Sequence, residues 1–529
     1  MRGSSARSRV LVALWAVCAC DEVGGEAEVV VAVATPAIEG VVPALATAPP
    51  PPTQGGLNAT LTATQGPPAV PEEEEEAATA TAASPVGPGG IDRSKVPLGR
   101  FVSERTTVVY AEPRWESGLR GRIEPGNPFS AFMAVEGEGC EGGWAQVQLG
   151  GYVCLRHAVA TDTKPEPLPR VAEGGILPFV YAKPRADRKG QLLAEVPRYR
   201  SVRDALRGAK PVDSLVAHRQ YAFTEVIRRP SVGDLYVDLD GQAVPGRDLV
   251  LQKPSELEGR VLAEAPVPAG LAAAWSVSLP AELFDGTGRK ARSVGSIAYH
   301  SRFELDPTPI AGSGGVTWLR VPGAGKEGAD AYVDASQVRY WDPGPELDDV
   351  DKEEVWIDVD VQQQMLGLRR GAEEVLFLTL VSTGTGKHPT PRGIFRIRNK
   401  LALGKMENRP DEPESYYVEE VPWVQYFYKR FAFHTAYWHR SFGRRRSHGC
   451  INLSPRDAAF LFGETSPEMP EGWTSAFEHE GEAGTTVRVR KGDDPLPDRR
   501  RPLGSAEEDE GADEPAEAGA SDDEGEDAP

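Results

Sequence analysis

Positive charge and long apolar runs are both scarce in this chain. It carries 58 Lys and Arg against 79 Asp and Glu, a formal net charge of −21. Nucleic-acid binding requires a basic face, and the basic residues cluster only locally, at Lys429, Arg430, Arg440 and Arg444 to Arg446. Nucleic acid is therefore excluded as a partner. No stretch after the N-terminal apolar run is long and apolar enough for a membrane helix, so we expect the body of the protein to be soluble outside the cytoplasm.

The acidic excess lies in two low-complexity segments. Glu507–Pro529 contains twelve acidic residues and no Lys or Arg, and Glu72–Glu76 adds five. Runs of like charge are typically disordered and solvated. We therefore predict a disordered acidic tail over 492–529, and the net charge does not indicate a cationic partner.

The amino terminus predicts export. Three arginines, the last at position 9, precede an apolar run of eight residues, Val10–Val17. This is the pattern of a signal peptide, too short to span a bilayer as a helix. The run ends Val17-Cys-Ala-Cys20, which resembles a bacterial lipobox with Cys20 as the lipidated residue. We expect residues 1–20 to be a lipoprotein signal peptide and the mature protein to be anchored by its lipid to a membrane of the bacterial cell envelope, in the periplasm. Ordinary cleavage and release is the alternative.

Composition divides the rest of the chain into segments. Residues 21–95 are rich in Pro, Ala and Glu, which predicts a disordered tether. Short β-like runs separated by Gly- and Pro-containing turns predict small β domains over 96–162 and 272–341. Residues 171–263 show mixed signals with many prolines, and we assign them no function. The expected fold is multidomain and mainly β.

Cysteine is also scarce, with five residues that can each be placed: Cys18, Cys20, Cys140, Cys154 and Cys450. The first two lie in the N-terminal run. Cys140 and Cys154 flank a predicted hairpin whose ends a disulfide can bridge. Cys450 is left as the odd thiol, which in an exported protein is either reactive or simply buried.

The same hairpin contains Gly-Gly-Trp144 and Gly-Gly-Tyr152. This pattern resembles a bacterial SH3-like module, which implies a small barrel over 96–162. Trp144 and Tyr152 would then fill the barrel core or contact cell-wall glycan or peptide.

The segment around Cys450 has a characteristic order of elements. Val355–Val361 alternates apolar and polar residues and predicts a half-buried strand, and Leu376–Val381 predicts a more buried one. The Gly-rich turn Ser382–Gly386 leads to Thr390-Pro-Arg-Gly-Ile-Phe395, a turn followed by a strand. A further β element, Ala432–Trp438, carries His434.

The run Ser447-His-Gly-Cys-Ile-Asn452 follows, and a helix follows the run. Ser454 is a predicted N-cap, Pro455 the first helical residue and Gly463 the end. Cys450 then lies on a loop entering a short helix, whose dipole is too distant to activate the thiol alone.

A cysteine beside two histidines is a candidate nucleophile with a base at hand. Together with the Gly-rich and Thr-Pro-x-Gly-x-Phe segments, the run resembles the L,D-transpeptidase (YkuD-type) catalytic domain over 353–491. The resemblance implies a cofactor-free enzyme of cell-wall cross-linking, acting on peptidoglycan stem peptides. Cys450 would form a thioester with a stem tetrapeptide and transfer it to an amine acceptor, and His434 would be the base that shares the thiol proton.

The resemblance also implies roles for neighbouring residues. His448 would orient the loop or contact substrate, and backbone N–H groups near Gly449 and Cys450 would stabilise the oxyanion. Gly449 would let the backbone approach the substrate closely. The other implied residues hold the loop by hydrogen bonds, wall the cleft or bind carboxylates: Ser447, Asn452, Trp438 and Arg446. For Trp438 and Arg446, aromatic core and a solvated loop are the alternatives.

Twelve residues separate His434 from Ser447, fewer than is usual in this family. The shorter interval keeps His439 in view as a second candidate base, although it lies on the predicted loop.

Other interpretations stay open. A zinc site would take its ligands from His434, His439, His448 and Cys450, although the helical His-x-x-x-His and Cys-x-x-Cys spacings are missing. A non-enzymatic wall-binding lipoprotein would keep the catalytic fold without its activity. Within the enzyme class, water or a protein lysine as acceptor would give an L,D-carboxypeptidase or a ligase that attaches protein to peptidoglycan.

Overall fold

The structure is a computed structural model, and it describes the ranges 98–187, 189–217, 219–229, 233–347, 350–407 and 417–496, together with the short strand β1 (Val29–Val30). In this part of the chain the fold is mainly β with two α-helices, which confirms the predicted class. The predicted signal peptide with Cys20, the tether outside β1 and nearly all of the acidic tail lie outside the described residues. Neither helix in the described ranges has the length and apolar character needed to cross a membrane.

The strands of residues 98–161 are short and divide between two sheets. Their bounds are β2 (Gly99–Ser103), β3 (Thr107–Tyr110), β4 (Leu119–Ile123), β5 (Pro128–Ala131), β6 (Met133–Val135), β7 (Trp144–Gln146), β8 (Tyr152–Cys154) and β9 (Ala158–Ala160). β2 lies between β5 and β9, and the others follow the order β4-β3-β8-β7-β6. These described strands do not close into a barrel, so the SH3-like resemblance stays a prediction.

A disulfide joins Cys140 to Cys154, with their Cα atoms 5.8 Å apart. It links the segment just before β7 to the last residue of β8. Trp144 is buried in this segment and Tyr152 is partly buried, so Trp144 is a core residue here.

Residues 180–251 build a sheet on strand β13. The elements are β10 (Val180–Pro184), β11 (Pro197–Arg198), α1 (Val202–Leu206), β12 (Asp213–Ser214), β13 (Arg219–Ile227), β14 (Leu235–Asp238), β15 (Ala243–Pro245) and β16 (Leu249–Leu251). β13 pairs in antiparallel fashion with β10 and with β14, and β1 lies along its end.

Residues 272–340 form a separate seven-stranded sheet, called here the second β module. After the short β17 (Arg260–Val261), its strands are β18 (Ala272–Ser276), β19 (Ala281–Phe284), β20 (Ser293–Ile297), β21 (Arg302–Ala311), β22 (Thr317–Val321), β23 (Ala331–Asp334) and β24 (Val338–Tyr340). The spatial order is β20-β19-β23-β22-β21-β18-β24. Small and branched apolar residues fill its core, among them Ala274, Leu305 and Val333.

The segment with Cys450 contains ten strands and one helix. They are β25 (Val355–Asp360), β26 (Met365–Arg370), β27 (Glu374–Leu380), β28 (Gly393–Arg396), β29 (Asn399–Glu407), β30 (Tyr417–Tyr428), β31 (Phe431–Thr435), β32 (Ile451–Leu453), α2 (Pro455–Gly463), β33 (Ser475–Phe477) and β34 (Thr486–Arg490). One sheet has the order β17-β27-β26-β25-β34-β28, and the β29–β30 hairpin continues into β31 and β32. Apolar residues between them form the core, with Val359 and Leu366 on one side and Phe433 and Leu461 on the other.

Helix α2 has the predicted start and end. The Ser454 side chain accepts a hydrogen bond from the Asp457 N–H and caps the helix, Pro455 is its first residue, and Gly463 is its last.

The buried aspartates of β25 show that the expected half-buried strand was wrong. Asp358 and Asp360 are 0% and 1% exposed. β25 is a central strand, and its parallel register with β34 sets Asp358 opposite Arg488 and Asp360 opposite Arg490. Both arginines donate to these carboxylates, which meets the requirement that a buried charge be paired. The alternation in the sequence therefore comes from a buried ionic cluster and not from a solvent-facing side.

Two contacts tie the hairpin β29–β30 to the preceding segments. β33 pairs with β29 on one side and with β4 on the other, and β13 pairs in parallel with the start of β30. The hairpin that borders the site around Cys450 is therefore held by strands from two other parts of the chain.

Candidate active site

Strand pairing brings His434 and Cys450 together. β31 and β32 are parallel, and His434 lies opposite Asn452 in their register. Side chains of paired residues point to the same face of a sheet, and so do residues two apart along a strand. Cys450 lies one residue before β32, and it lines the same cleft as His434.

The surroundings of His434 decide which ring nitrogen is basic. Nδ1 lies 2.9 Å from the carbonyl oxygen of Thr435. A carbonyl only accepts hydrogen bonds, so Nδ1 carries the ring proton and Nε2 keeps its lone pair. Burial lowers the pKa of His434 to about 4. The imidazole is therefore neutral at neutral pH and able to accept a proton at Nε2.

The Cys450 thiol is also neutral at rest. Its side chain is partly exposed at the cleft, and burial of the sulfur raises its pKa, while the Ala432 backbone and Arg430 act in the opposite direction. That His434 shares the thiol proton stays a prediction. A neutral thiol and a neutral imidazole line the same cleft.

Hydrogen bonds within the loop fix the position of Cys450. The Ser447 hydroxyl donates to the Cys450 carbonyl oxygen and accepts from the Gly449 N–H at 3.1 Å. Thr390 adds a second tie, because its hydroxyl donates to the Gly449 carbonyl at 2.7 Å and accepts from the Gly384 N–H at 2.9 Å. Thr390 belongs to the Thr-Pro-x-Gly segment, and residue spacing alone does not predict that it connects the Gly-rich turn to the loop.

Gly449 is required for a reason that differs from the expected one. Its φ is +114°, and a Cβ there would lie 2.3 Å from the ring of Phe431. A side chain would therefore strain the backbone and collide with a packed aromatic ring. The glycine allows the loop to lie close on Phe431.

His439, the second candidate base, has both ring nitrogens close to other protein groups and does not line the cleft. Its Nδ1 accepts a hydrogen bond from the Ser441 N–H, and its Nε2 lies 2.9 Å from Nδ2 of Asn452. Burial, with a smaller effect of Arg446, lowers its pKa to about 3. His439 is a buried neutral residue that packs against Asn452.

The cleft has a volume of about 640 Å³. Seven of the predicted site residues line it: His434, Trp438, Arg446, Ser447, His448, Cys450 and Asn452. The Trp438 ring stacks near His434 at 5.7 Å between centroids. Further lining residues come from the Gly-rich turn and from the hairpin, and sequence reasoning missed them: Thr385, His388, Lys405, Met406, Glu407, Tyr426 and Phe431.

Cationic side chains predominate around the cleft. Lys405, Arg430, Arg445 and Arg446 line it, against the single carboxylate of Glu407. His448 is exposed at the rim, and its ring centre lies 4.8 Å from that of His388. Lys405 lies more than 20 residues before the predicted arginine cluster, so its place in the cleft depends on the fold. The cleft therefore suits a ligand that carries carboxylates.

The zinc interpretation finds no support in the described part of the chain. No group of three or more His, Cys, Asp or Glu side chains there is arranged to hold a metal ion. The ring nitrogens of His439 contact Ser441 and Asn452.

Comparison with known proteins concerns the same region. Residues 354–489 match the family model YkuD, the L,D-transpeptidase catalytic domain. The Bacillus subtilis (strain 168) protein named "Putative L,D-transpeptidase YciB" is 27% identical over 138 residues, which are 24% of this chain and 68% of that protein.

Two solved structures also match part of the chain. The Ldtfm–avibactam carbamoyl enzyme is 24% identical over 26% of this chain, with a TM-score of 0.21, and this chain spans about half of its length (49%). The catalytic domain of the E. faecium L,D-transpeptidase is 24% identical over 26% of this chain and 97% of that chain, with a TM-score of 0.21.

The family match spans every element that carries the cleft, from β25 through the Gly-rich turn and the β29–β30 hairpin to β34. It includes Cys450, His434 and Thr390. Residues 354–489 are therefore an L,D-transpeptidase catalytic domain of the YkuD family.

Proposed function

We propose that this protein is a peptidoglycan L,D-transpeptidase that uses Cys450 as nucleophile and His434 as general base. The proposal rests on the presence of Cys450 and His434 in one cleft. The two side chains share one cleft, and the Nδ1 hydrogen bond to Thr435 leaves Nε2 of His434 ready to accept a proton.

In acylation, the Cys450 proton passes to Nε2 of His434. The pKa of the imidazole, about 4, lies far below the raised pKa of the thiol, so the proton moves together with sulfur attack and not before it. Sulfur adds to the carbonyl carbon between the diamino acid and the D-alanine of a stem tetrapeptide. Collapse of the tetrahedral intermediate breaks the C–N bond, and the leaving D-alanine amine takes the proton from His434.

The oxyanion of the intermediate needs a hydrogen-bond donor. The Gly449 N–H already donates to Ser447, so the Cys450 N–H is the donor that we assign. The family resemblance implies the N–H groups near both Gly449 and Cys450 as donors, and we now assign only that of Cys450.

Deacylation regenerates the thiol. The side-chain amine of a second stem attacks the thioester carbonyl, its proton passes to His434, and the proton returns to the departing Cys450 sulfur. The cationic rim formed by Lys405, Arg430, Arg445 and Arg446 would bind the free carboxylates of donor and acceptor stems. A cleft with this charge would favour a peptide acceptor over water, which supports the transpeptidase over the carboxypeptidase alternative.

The proposal places the enzyme in the bacterial cell envelope. Residues 1–20 would direct export, with Cys20 as the lipidated residue. The predicted tether over 21–95 would link the membrane anchor to the rest of the protein. The SH3-like resemblance of 96–162 adds the proposal of a wall-contacting module beside it.

The intact mass of the protein after exposure to a carbapenem tests the nucleophile. We expect one covalent adduct per chain and none in Cys450→Ala. The matched control is Cys20→Ala, which leaves the cleft unchanged and should acylate fully.

Tetrapeptide muropeptides test the reaction itself. We expect release of D-alanine and a cross-linked product that contains both stems. Hydrolysed tripeptide alone would establish the carboxypeptidase instead. Folded, reduced protein that forms no adduct would favour the non-enzymatic wall-binding lipoprotein.

A further inference from the structure

Four consecutive backbone carbonyls in the segment between His434 and Ser447 accept hydrogen bonds from distant side chains. The carbonyls belong to residues 440–443, and the donors are the Tyr299 hydroxyl (to Arg440, 3.0 Å), the Ser382 hydroxyl (to Ser441, 2.8 Å), Nε2 of His300 (to Phe442, 3.0 Å) and Nε of Arg339 (to Gly443, 3.1 Å). Carbonyls of an ordinary surface loop face water. This segment, 440–443, is instead held at every residue.

Three of the four donors come from the second β module. Tyr299 and His300 lie on the turn after β20, and Arg339 lies on β24. The rings of Tyr299 and His300 stack at 3.8 Å, and His300 has a φ of +61°. A non-glycine residue in this conformation stores strain, which surrounding contacts must offset. In this conformation of the turn, the side chains of Tyr299 and His300 both reach segment 440–443.

Packing supports the same contact. A Cβ on Gly443 would lie 2.3 Å from the Val277 side chain of the module, so this side chain packs directly against the glycine. Phe442 is fully buried in a cluster with Trp275 and Trp341. Arg444 donates in the opposite direction, to the Val277 carbonyl at 2.9 Å.

The anchored segment leads directly into the cleft. Arg445 and Arg446 follow it and line the cleft. The N–H groups of Arg446 and Ser447 both donate to the Thr383 carbonyl. The path of the backbone between these fixed points decides where the two guanidinium groups lie.

We propose that Tyr299, His300 and Arg339 are positioning residues for substrate binding. They hold segment 440–443 so that Arg445 and Arg446 face the cleft, which makes the second β module a part of the binding site for stem-peptide carboxylates. The substrate part of this inference rests on the proposed function, whereas the anchoring does not.

The test uses the full chain with Tyr299→Phe and His300→Met, singly and combined. Phe keeps the ring of Tyr299 without its hydroxyl, and Met keeps bulk at His300 without a donor. His300→Gln retains an N–H donor and should restore most of the loss. Tyr332→Phe is the matched control, because Tyr332 lies on β23, whose strand partners are all within the module.

We expect the double variant to raise KM for a tetrapeptide donor about tenfold with kcat within about threefold, since two hydrogen bonds of ordinary strength are lost. Alkylation of Cys450 by neutral iodoacetamide should keep its rate, because the nucleophile itself is unchanged. Hydrogen exchange of peptides covering 440–447 should become faster in the double variant and stay as in wild type for Tyr332→Phe.

Unchanged exchange over 440–447 would overturn the anchoring, and faster exchange with an unchanged KM would overturn the link to binding. If the double variant lost kcat and its Cys450 also reacted more slowly with iodoacetamide, the substitutions would act on the nucleophile. This result would also contradict the proposal. If the wild-type protein releases no D-alanine, the proposed function fails and the substrate-binding role falls with it. The exchange measurement then decides the anchoring by itself.

Discussion

At the scale of single residues, the chemistry depends on two neutral groups. Burial lowers the pKa of His434 to about 4 and raises that of Cys450. A thiolate–imidazolium pair would need the opposite directions. In the proposed mechanism, substrate would complete the activation, because attack on a carbonyl makes the proton transfer favourable.

The rate of carbapenem acylation should follow the protonation of His434. The imidazole must be neutral to accept the thiol proton, so the rate is lost as pH falls through about 4 and is flat from about pH 5 to 8. Stopped-flow mass or absorbance measurements between pH 3 and 9 give the profile, with circular dichroism at each pH to exclude acid unfolding. A midpoint near 6.5 would mean that the ring is solvated.

At the scale of elements, the parallel pair β25 and β34 places a buried ionic cluster in the middle of a sheet. Asp358 accepts from both Arg488 and Arg490, and all three side chains are buried. Removing one member of a buried pair leaves an uncompensated charge, whereas an exposed pair contributes little.

Asp358→Asn should therefore lower the free energy of unfolding by about 3 kcal/mol or more. Glu374→Gln on β27 of the same sheet is the matched control, since Glu374 and its partner Arg370 are both exposed, and its effect should stay below about 0.5 kcal/mol. Urea unfolding of both variants measures the difference. Equal effects would show that Asp358 is well solvated or that its partners re-pair.

At the scale of the whole molecule, the catalytic domain is completed by other segments. The edge of β33 pairs with β4, and Trp473, fully buried, packs with Val109 and Phe129 of the first segment. The second β module holds segment 440–443. The family match covers residues 354–489. The buried surface of the catalytic domain extends beyond these residues, because other segments of the chain pack against it.

A fragment of residues 353–491 should be less stable than 98–496. Separation exposes Trp473 and the unpaired edge of β33, and the lost aromatic burial alone is worth about 3 kcal/mol. Thermal unfolding and size-exclusion chromatography of the two fragments provide the measurement, with Trp473→Ala in 98–496 as the control for the buried ring. An isolated domain that unfolds at the same temperature as 98–496 would contradict this expectation.

The sequence by itself determined the parts that depend on local pattern. It predicted the mainly β class, the strands around 355, 376 and 432, and the helix from Pro455 to Gly463 with its cap. It also selected Cys450 and His434, because their neighbours form a contiguous motif. It missed the long strands β29 and β30, whose charged residues, Gly404 and Pro422 obscure a β pattern.

Only the tertiary structure decided what depends on long-range register. The pairing of β25 with β34 buries Asp358, the pKa of His434 follows from its burial, and the hairpin brings Lys405 to a cleft formed about 45 residues later. The contacts of Tyr299 and His300 cross about 140 residues of sequence. Such contacts depend on how the sheets pack together. The spacing of residues along the chain does not predict which sheets will pack against each other.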